Sequence, residues 1–368
     1  LSKIITVLGA SHGGQALAAS LALRGCEVRL YEHPNFKTNL EGILQHQSQI
    51  ELVDALSGVG QIALATTDIR TAIEGADVIM VIVPSFVQRI MLTLAAPYLR
   101  DNQIVLLLPG NFGSLEATNL IRNSGCRAHI RLAETNSIPF ACRQIESGKV
   151  AVFGVKEFLE LAAFPATDTP TVIDALGDCF PVSLRATRNV LETAFTNFNM
   201  LVHCPTAVLN AGWIETTHGN FDFYGEGITE SVSRVVEKMD RERIAIGTAF
   251  NLELIPFVEW WQQAYPTPTQ SKRLRDIILS SKVHSGRGAT APKSLQERYI
   301  SEDVPYLLVP LVSLGNLVGV AAPTIEAIIT VASVLNETDY RCEGRNLERL
   351  GLTGMSAEQI LNYVNGAA

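Results

Sequence analysis

Basic runs, paired cysteines and long uninterrupted apolar stretches are all missing from this chain. Without clustered Lys and Arg there is no counterion-releasing footprint for nucleic acid, and a formal net charge of -8 argues the same way. Cys26, Cys126, Cys142, Cys179, Cys204 and Cys342 stand singly, with no C-x-x-C and no zinc-type spacing. They are expected to be reduced thiols in a cytoplasmic setting, with no metal site. The most apolar region, 306–335, is interrupted by Pro310, Asn316, Pro323 and Glu326. It fails the test of about 18 unbroken apolar residues for a membrane span and reads instead as one or two buried helices. Residues 1–8 read as a strand running into a Gly-rich turn, so no signal peptide is expected. No internal repeat or low-complexity segment is visible.

What is present is ordinary globular composition, 47% hydrophobic and 18% charged, at a length of 368 residues that suits two domains. The apolar run 4–8 leads into Gly9-Ala10-Ser11-His12-Gly13-Gly14 and an amphipathic pattern through Leu23. This strand, glycine turn and helix match a dinucleotide-binding fingerprint in which Ser11 replaces the middle glycine. A second strand, 27–31, ends at Glu32, eighteen residues beyond Gly14 and near the expected place of the acid that binds the adenosine ribose. That carboxylate repels a 2′-phosphate, and His33-Pro34 follows where an arginine would welcome one, so NAD is favoured over NADP. Further strands at 61–65, 76–84 and 103–110 alternate with helical patterns, the signature of a parallel sheet covered on both faces. The turns at Pro84 and Gly110 then fall at strand ends, where they are expected to border the cofactor or to be plain punctuation. Residues 134–143 read as a polar loop, in which Arg143 is a candidate for a substrate carboxylate.

Past Val182 the texture turns helical. The predicted architecture is a Rossmann-type α/β domain over 1–184 and a mostly α-helical substrate domain over 185–368. Residues 188–211 read as one apolar helix carrying His203, flanked by Asn199 and Asn210. The spacing of four sets Asn199 on the face of His203, as an amide lining a site or as a helix-to-helix bridge. A hundred residues later, Arg298 and Asp303 precede an apolar run. They offer a guanidinium for a substrate carboxylate and a carboxylate to hold an imidazole. The working expectation is that these segments meet over a nicotinamide ring presented by the N-terminal domain. Cys204, adjacent to His203, points about 100° away on a helix and is not its nucleophile partner. Trp260, Trp261 and Phe223 are expected in the core, or lining an apolar pocket that would suit a hydrophobic amino acid. Residues 266–269 read as a Pro/Thr loop, and Ser356 with Gln359 as a capping box opening a final helix.

Taken together, the stretches 4–23, 138–143, 199–212 around His203, 224–229, 298–310 and 343–352 resemble the octopine dehydrogenase family, the opine dehydrogenases. Ser11, and Cys204 standing between His203 and Pro205, depart from the family's pattern. The resemblance implies a catalytic pair of His203 and Asp303, with Arg298 gripping a substrate carboxylate. It also implies NAD(P)H-dependent reductive condensation of an amino acid with a 2-oxo acid such as pyruvate. The expected partners are those small molecules, with neither nucleic acid nor membrane, and a homodimer is left open. Two rival readings keep the architecture: a two-domain reductase of ketones or hydroxy acids, and a dinucleotide-binding sensor without turnover.

Overall fold

In the computed structural model the described residues are 3–265, 269–281 and 290–367. Most of the Pro/Thr loop expected at 266–269 lies outside them. The chain divides into two units, Leu1–Thr193 with Val364–Ala368, and Ala194–Tyr363. The first ends later than the expected 184 because the strand Ser183–Ala186 still belongs to its sheet, and the tail returns to it through Asn189 Nδ2, which donates to Asn365 Oδ1 at 2.9 Å.

The first unit is built on the apolar runs. Strands β1 (Ile4–Leu8) and β2 (Glu27–Tyr31) are followed by β3 (Gln49–Asp54), β4 (Gly58–Gln61), β5 (Leu64–Thr66), β6 (Val78–Val81), β7 (Ile104–Leu107) and β8 (Arg131–Thr135). Then come β9 (Phe140–Glu146), β10 (Lys149–Val155), β11 (Phe158–Phe164) and β12 (Ser183–Ala186). The main sheet has the order β12-β11-β8-β7-β6-β1-β2-β5. From β5 to β8 every pairing is parallel, and β11 runs antiparallel to β8. Strands β6 and β7 are buried at every position, as their unbroken apolar sequence requires when helices cover both faces.

A second sheet, β4-β3-β10-β9, was not anticipated from the sequence. Of its outer strands, β4 reads Gly-Val-Gly-Gln and β9 buries only Phe140, so neither has the apolar run that marked the main sheet. The stretch 134–143, expected as a polar loop, supplies the end of β8 and the start of β9. The run 61–65 is likewise not one strand, since Gln61 ends β4 and Leu64 opens β5.

The second unit is helical among its described residues. Residues 188–211 do not form one helix: Val190–Phe195 stops, and Asn199–Leu209 starts after a break. Asn197 makes the break, because its buried side-chain oxygen accepts the Asn199 N–H at 3.1 Å and so begins a new helix. Fully buried Arg243 fixes the other side by donating to the Phe195 carbonyl at 3.3 Å and to the Ile255 carbonyl at 2.7 Å. Its charge is met by Asp240 at 2.7 Å, whose other oxygen takes the N–H of Phe257 at the start of helix Phe257–Ala264. Glu242 does the same for helix Pro323–Leu335, accepting from Thr324 N and Ile325 N. Trp260 and Trp261 are core rather than pocket lining: they are about 4% exposed and pack with Phe198, Phe257 and Tyr265. The expected capping box is formed, Ser356 Oγ accepting from Gln359 N at 3.2 Å and Gln359 Oε1 from Ser356 N at 2.8 Å. No helix of the described residues is long and apolar enough to cross a membrane.

A Cβ at Gly14 would run into the Gly9 carbonyl, where the first helix packs on the end of β1. Gly14→Ala is therefore expected to destabilise the first unit by about 1–3 kcal/mol, as overpacked positions do. Denaturant unfolding checks this, and an unchanged midpoint would contradict the packing.

Candidate active site

Two groups of residues carry chemistry, one in each unit. In the first, β1 lies where the strand order reverses, with β2 on one side and β6 on the other. Ligands of such sheets bind beyond the carboxyl ends of the strands at this point. There the chain turns through Gly9, whose φ of +108° an L side chain rarely adopts and whose Cβ would lie 2.7 Å from the Ile82 carbonyl. The helix His12–Leu23 starts immediately after. Ser11 sits at its N-cap without a side-chain capping bond, and no acidic residue lies in its first turn. The start of this helix therefore offers N–H groups and positive dipole to an outside anion.

Glu32 directly follows β2 and is buried at 4% exposure. Its carboxylate accepts from Ala10 N at 3.0 Å, His33 N at 2.8 Å and Asn39 Nδ2 at 2.9 Å. An ionised carboxylate has about four acceptor positions, so one remains for a ribose hydroxyl. The glycine turn and this acid fit a dinucleotide. Pro84 caps the helix Ser85–Ala95 beyond β6, and buried Gly110 follows β7. A Cβ at Gly110 would overlap the Glu134 side chain, whose carboxylate accepts from Phe112 N at 3.2 Å and Ser114 N at 2.9 Å. Arg143 is exposed on β9 in this unit, and its guanidinium has no hydrogen bond or ion pair among the described residues.

In the second unit the structure brings His203 and Asp303 together, Nδ1 to Oδ2 at 2.7 Å. Asp303 is 5% exposed, so the carboxylate is withdrawn from water and held where it fixes the ring's tautomer. It follows the short helix Arg298–Ser301 and precedes a π-helical turn, Val304–Leu308, that continues into helix Val309–Leu317. Pro310 accounts for the widening, because its ring needs the carbonyl four residues earlier moved aside.

Sequence reasoning missed two tyrosines on the same imidazole. Tyr224 OH lies 3.2 Å from His203 Nε2, and Tyr299 stacks on the ring face at 4.0 Å between centroids and 12° between planes. Phe223 meets the imidazole edge-on. Tyr299 had a usable signal, since it stands four residues before Asp303 and shares its helical face. Tyr224 had none in periodicity. It is placed by an Asx turn, Asp222 Oδ1 accepting from Tyr224 N and Gly225 N, and Asn210 ties this loop to the His203 helix through the Gly227 carbonyl. Burial, with Tyr299, Tyr265 and Asp303 adding to it, pushes the Tyr224 hydroxyl well above the usual tyrosine range, so it stays a neutral phenol. Burial and then the Asp303 charge likewise push the Cys204 thiol up, which removes it as a thiolate nucleophile.

Asn199 opens the His203 helix half-buried, and its side-chain amide has no hydrogen bond among the described residues. Arg298 is 64% exposed and only loosely paired with Glu302 at 3.5 Å. No group of His, Cys, Asp or Glu suited to a metal ion occurs among the described residues.

The profile of the NAD/NADP octopine/nopaline dehydrogenase alpha-helical domain matches residues 186–336, and that of the NAD-dependent glycerol-3-phosphate dehydrogenase N-terminus matches residues 4–117. An opine dehydrogenase from Arthrobacter sp. (strain 1C) is 35% identical over 364 residues, 99% of either chain. This chain belongs to the octopine dehydrogenase family. Another similar member, protein ocs of Agrobacterium tumefaciens (strain Ach5), is 28% identical over 98% of this chain and 99% of its own. A solved octopine dehydrogenase with NADH and L-arginine has a TM-score of 0.78 at 22% identity, covering 100% of this chain and 99% of its own, a likeness in fold. As an octopine dehydrogenase family member the protein is an NAD(P)-dependent oxidoreductase acting on CH–NH groups. Its reaction is the reductive condensation of an amine with a 2-oxo acid.

Asn210 donates to the Thr206 and Gly227 carbonyls at 2.8 and 3.0 Å. Asn210→Ala is expected to loosen the loop that presents Tyr224, at about 0.5–1.5 kcal/mol per lost bond. Faster amide hydrogen exchange over residues 222–227 is the expected readout, and unchanged protection there would show that the tether is not needed.

Proposed function

We propose that His203 is the acid–base group of this condensation and that Asp303 orients it; the observation that carries the reading is the 2.7 Å Nδ1–Oδ2 contact between residues a hundred positions apart. With Nδ1–H given to Asp303, the neutral ring leaves Nε2 as the proton acceptor, which faces the Tyr224 hydroxyl at 3.2 Å until the incoming ammonium displaces it. An imidazole titrates near neutrality, pKa ~6.5 unperturbed, which suits a reaction that both removes and returns protons. His203 takes a proton from the incoming ammonium so that the amine attacks the 2-oxo carbon. It then returns a proton to the departing hydroxyl as water leaves and the imine forms. Asp303 stabilises the imidazolium in between, without itself being protonated. A bound reduced nicotinamide supplies the hydride that turns the imine into a secondary amine.

Arg298 holds one substrate carboxylate as a bidentate fork, and Asn199, on the His203 face, contributes its amide to the same substrates. Arg143, with its guanidinium unengaged, is our assignment for the second carboxylate. The glycine turn at Gly9, Ser11, Gly13 and Gly14 receives the pyrophosphate and Glu32 the ribose, with Pro84 and Gly110 bordering the rest of the cofactor. The buried Glu32 carboxylate favours NAD, because a 2′-phosphate there would meet negative charge.

The test is a spectrophotometric screen of amino acids with pyruvate and longer oxo acids against each reduced cofactor. Oxidation that requires the amine is expected, and oxidation by the oxo acid alone would favour a simple ketone reductase. His203→Asn should abolish turnover while leaving cofactor binding intact, and Asp303→Asn should lower kcat by roughly 10³–10⁴-fold, the scale for losing an orienting carboxylate. Wild-type turnover in His203→Asn would end the assignment. A higher kcat/KM with NADPH than with NADH would overturn the role given to Glu32.

A further inference from the structure

The contact that the mechanism leaves unused is the face of the imidazole. Tyr299 lies on it nearly parallel, 4.0 Å between centroids, while both ring nitrogens are already met by Asp303 and Tyr224. An aromatic face carries the negative lobe of the ring quadrupole, so a parallel ring attracts an imidazolium more than a neutral imidazole. Burial raises the Tyr299 hydroxyl above its usual range against the lowering effect of Arg298, so the face presented is that of a neutral phenol.

The other groups around the ring do not duplicate this. Asp303 supplies charge at Nδ1, Tyr224 a neutral hydroxyl at Nε2, and Phe223 an edge. Cys204 follows His203 in the chain as a buried thiol, and the nearby Arg298 and Glu302 pair with each other. Tyr265 is a further neutral phenol near Tyr224. The geometry points to Tyr299 as a positioning residue that fixes the plane of His203 and favours its protonated form by stacking. This rests on the acid–base role proposed for His203.

The experiment follows the His203 ring protons by NMR through a pH titration of the full chain, in the wild type, Tyr299→Phe and Tyr299→Leu. Phenylalanine keeps the aromatic face and removes only the hydroxyl's bond to Tyr224, itself a neutral phenol, so its midpoint is expected within about 0.2 pH units of wild type. Leucine removes the face, and its midpoint is expected to fall by roughly half a pH unit, the equivalent of an exposed cation–π contact. A residue that merely kept water off the ring would give the opposite sign, because solvent admitted by the smaller side chain favours the charged ring. A rise in the leucine variant, no change in it, or a phenylalanine variant that moves as far as leucine overturns the proposal. Tyr299→Met, equally without an aromatic face, takes the place of leucine should that variant not fold. The ring titration does not depend on turnover: a midpoint that falls while the acid limb of kcat stays in place upholds the stacking and counts against His203 as the acid–base group.

Discussion

The hydrogen bond between His203 and Asp303 is the constraint the second unit is arranged to satisfy. It joins a residue in the middle of one helix to another at the irregular start of a later one, and the acid partner is almost out of water. A carboxylate so buried is costly unless a donor meets it, so the contact is either made well or becomes a liability. The supports are therefore rigid and themselves polar. Arg243 with Asp240 sets the break before the His203 helix, and Glu242 anchors the start of helix Pro323–Leu335, which packs beside it.

Carboxylates recur at helix starts in both units. Glu134 holds the N–H of Ser114 in the helix Gly113–Asn123, Asp240 that of Phe257, and Glu242 those of Thr324 and Ile325. The helix that follows the glycine turn has no such internal anion, and this is the start that the dinucleotide reading requires to be open. At those three starts the positive dipole end is met by a carboxylate of the fold, and at the glycine turn it is open to an outside anion.

Much of this was legible in the amino-acid order, for identifiable reasons. Central strands buried on both faces leave unbroken apolar runs, and the glycine turn with Glu32 obeys a spacing set by backbone geometry. The capping box at Ser356 was readable because both partners lie within one turn. The second sheet was not, since strands with polar, solvent-facing positions and an interposed glycine look like loop. The single helix expected across 188–211 failed at Asn197, where an amide satisfied by the chain's own backbone competes with helix continuation. The pairing of His203 with Asp303 was inferred from chemical need, whereas Tyr224 reaches the ring through a turn whose shape no periodicity encodes. Trp260 and Trp261 pack in the core as first expected, and the alternative of a pocket lining stayed open because bulk and aromaticity are the same in a core and in a pocket.

The widened turn at Val304–Leu308 carries one residue more than an α-helical turn, so the residues on either side of it keep their angular relation around the axis. Removing one of its residues would restore a regular turn and leave Asp303 and Tyr299 facing the same way, whereas a deletion within the regular helix Val309–Leu317 that follows would rotate both by about 100°. A change of length is thus absorbed most readily at these five positions.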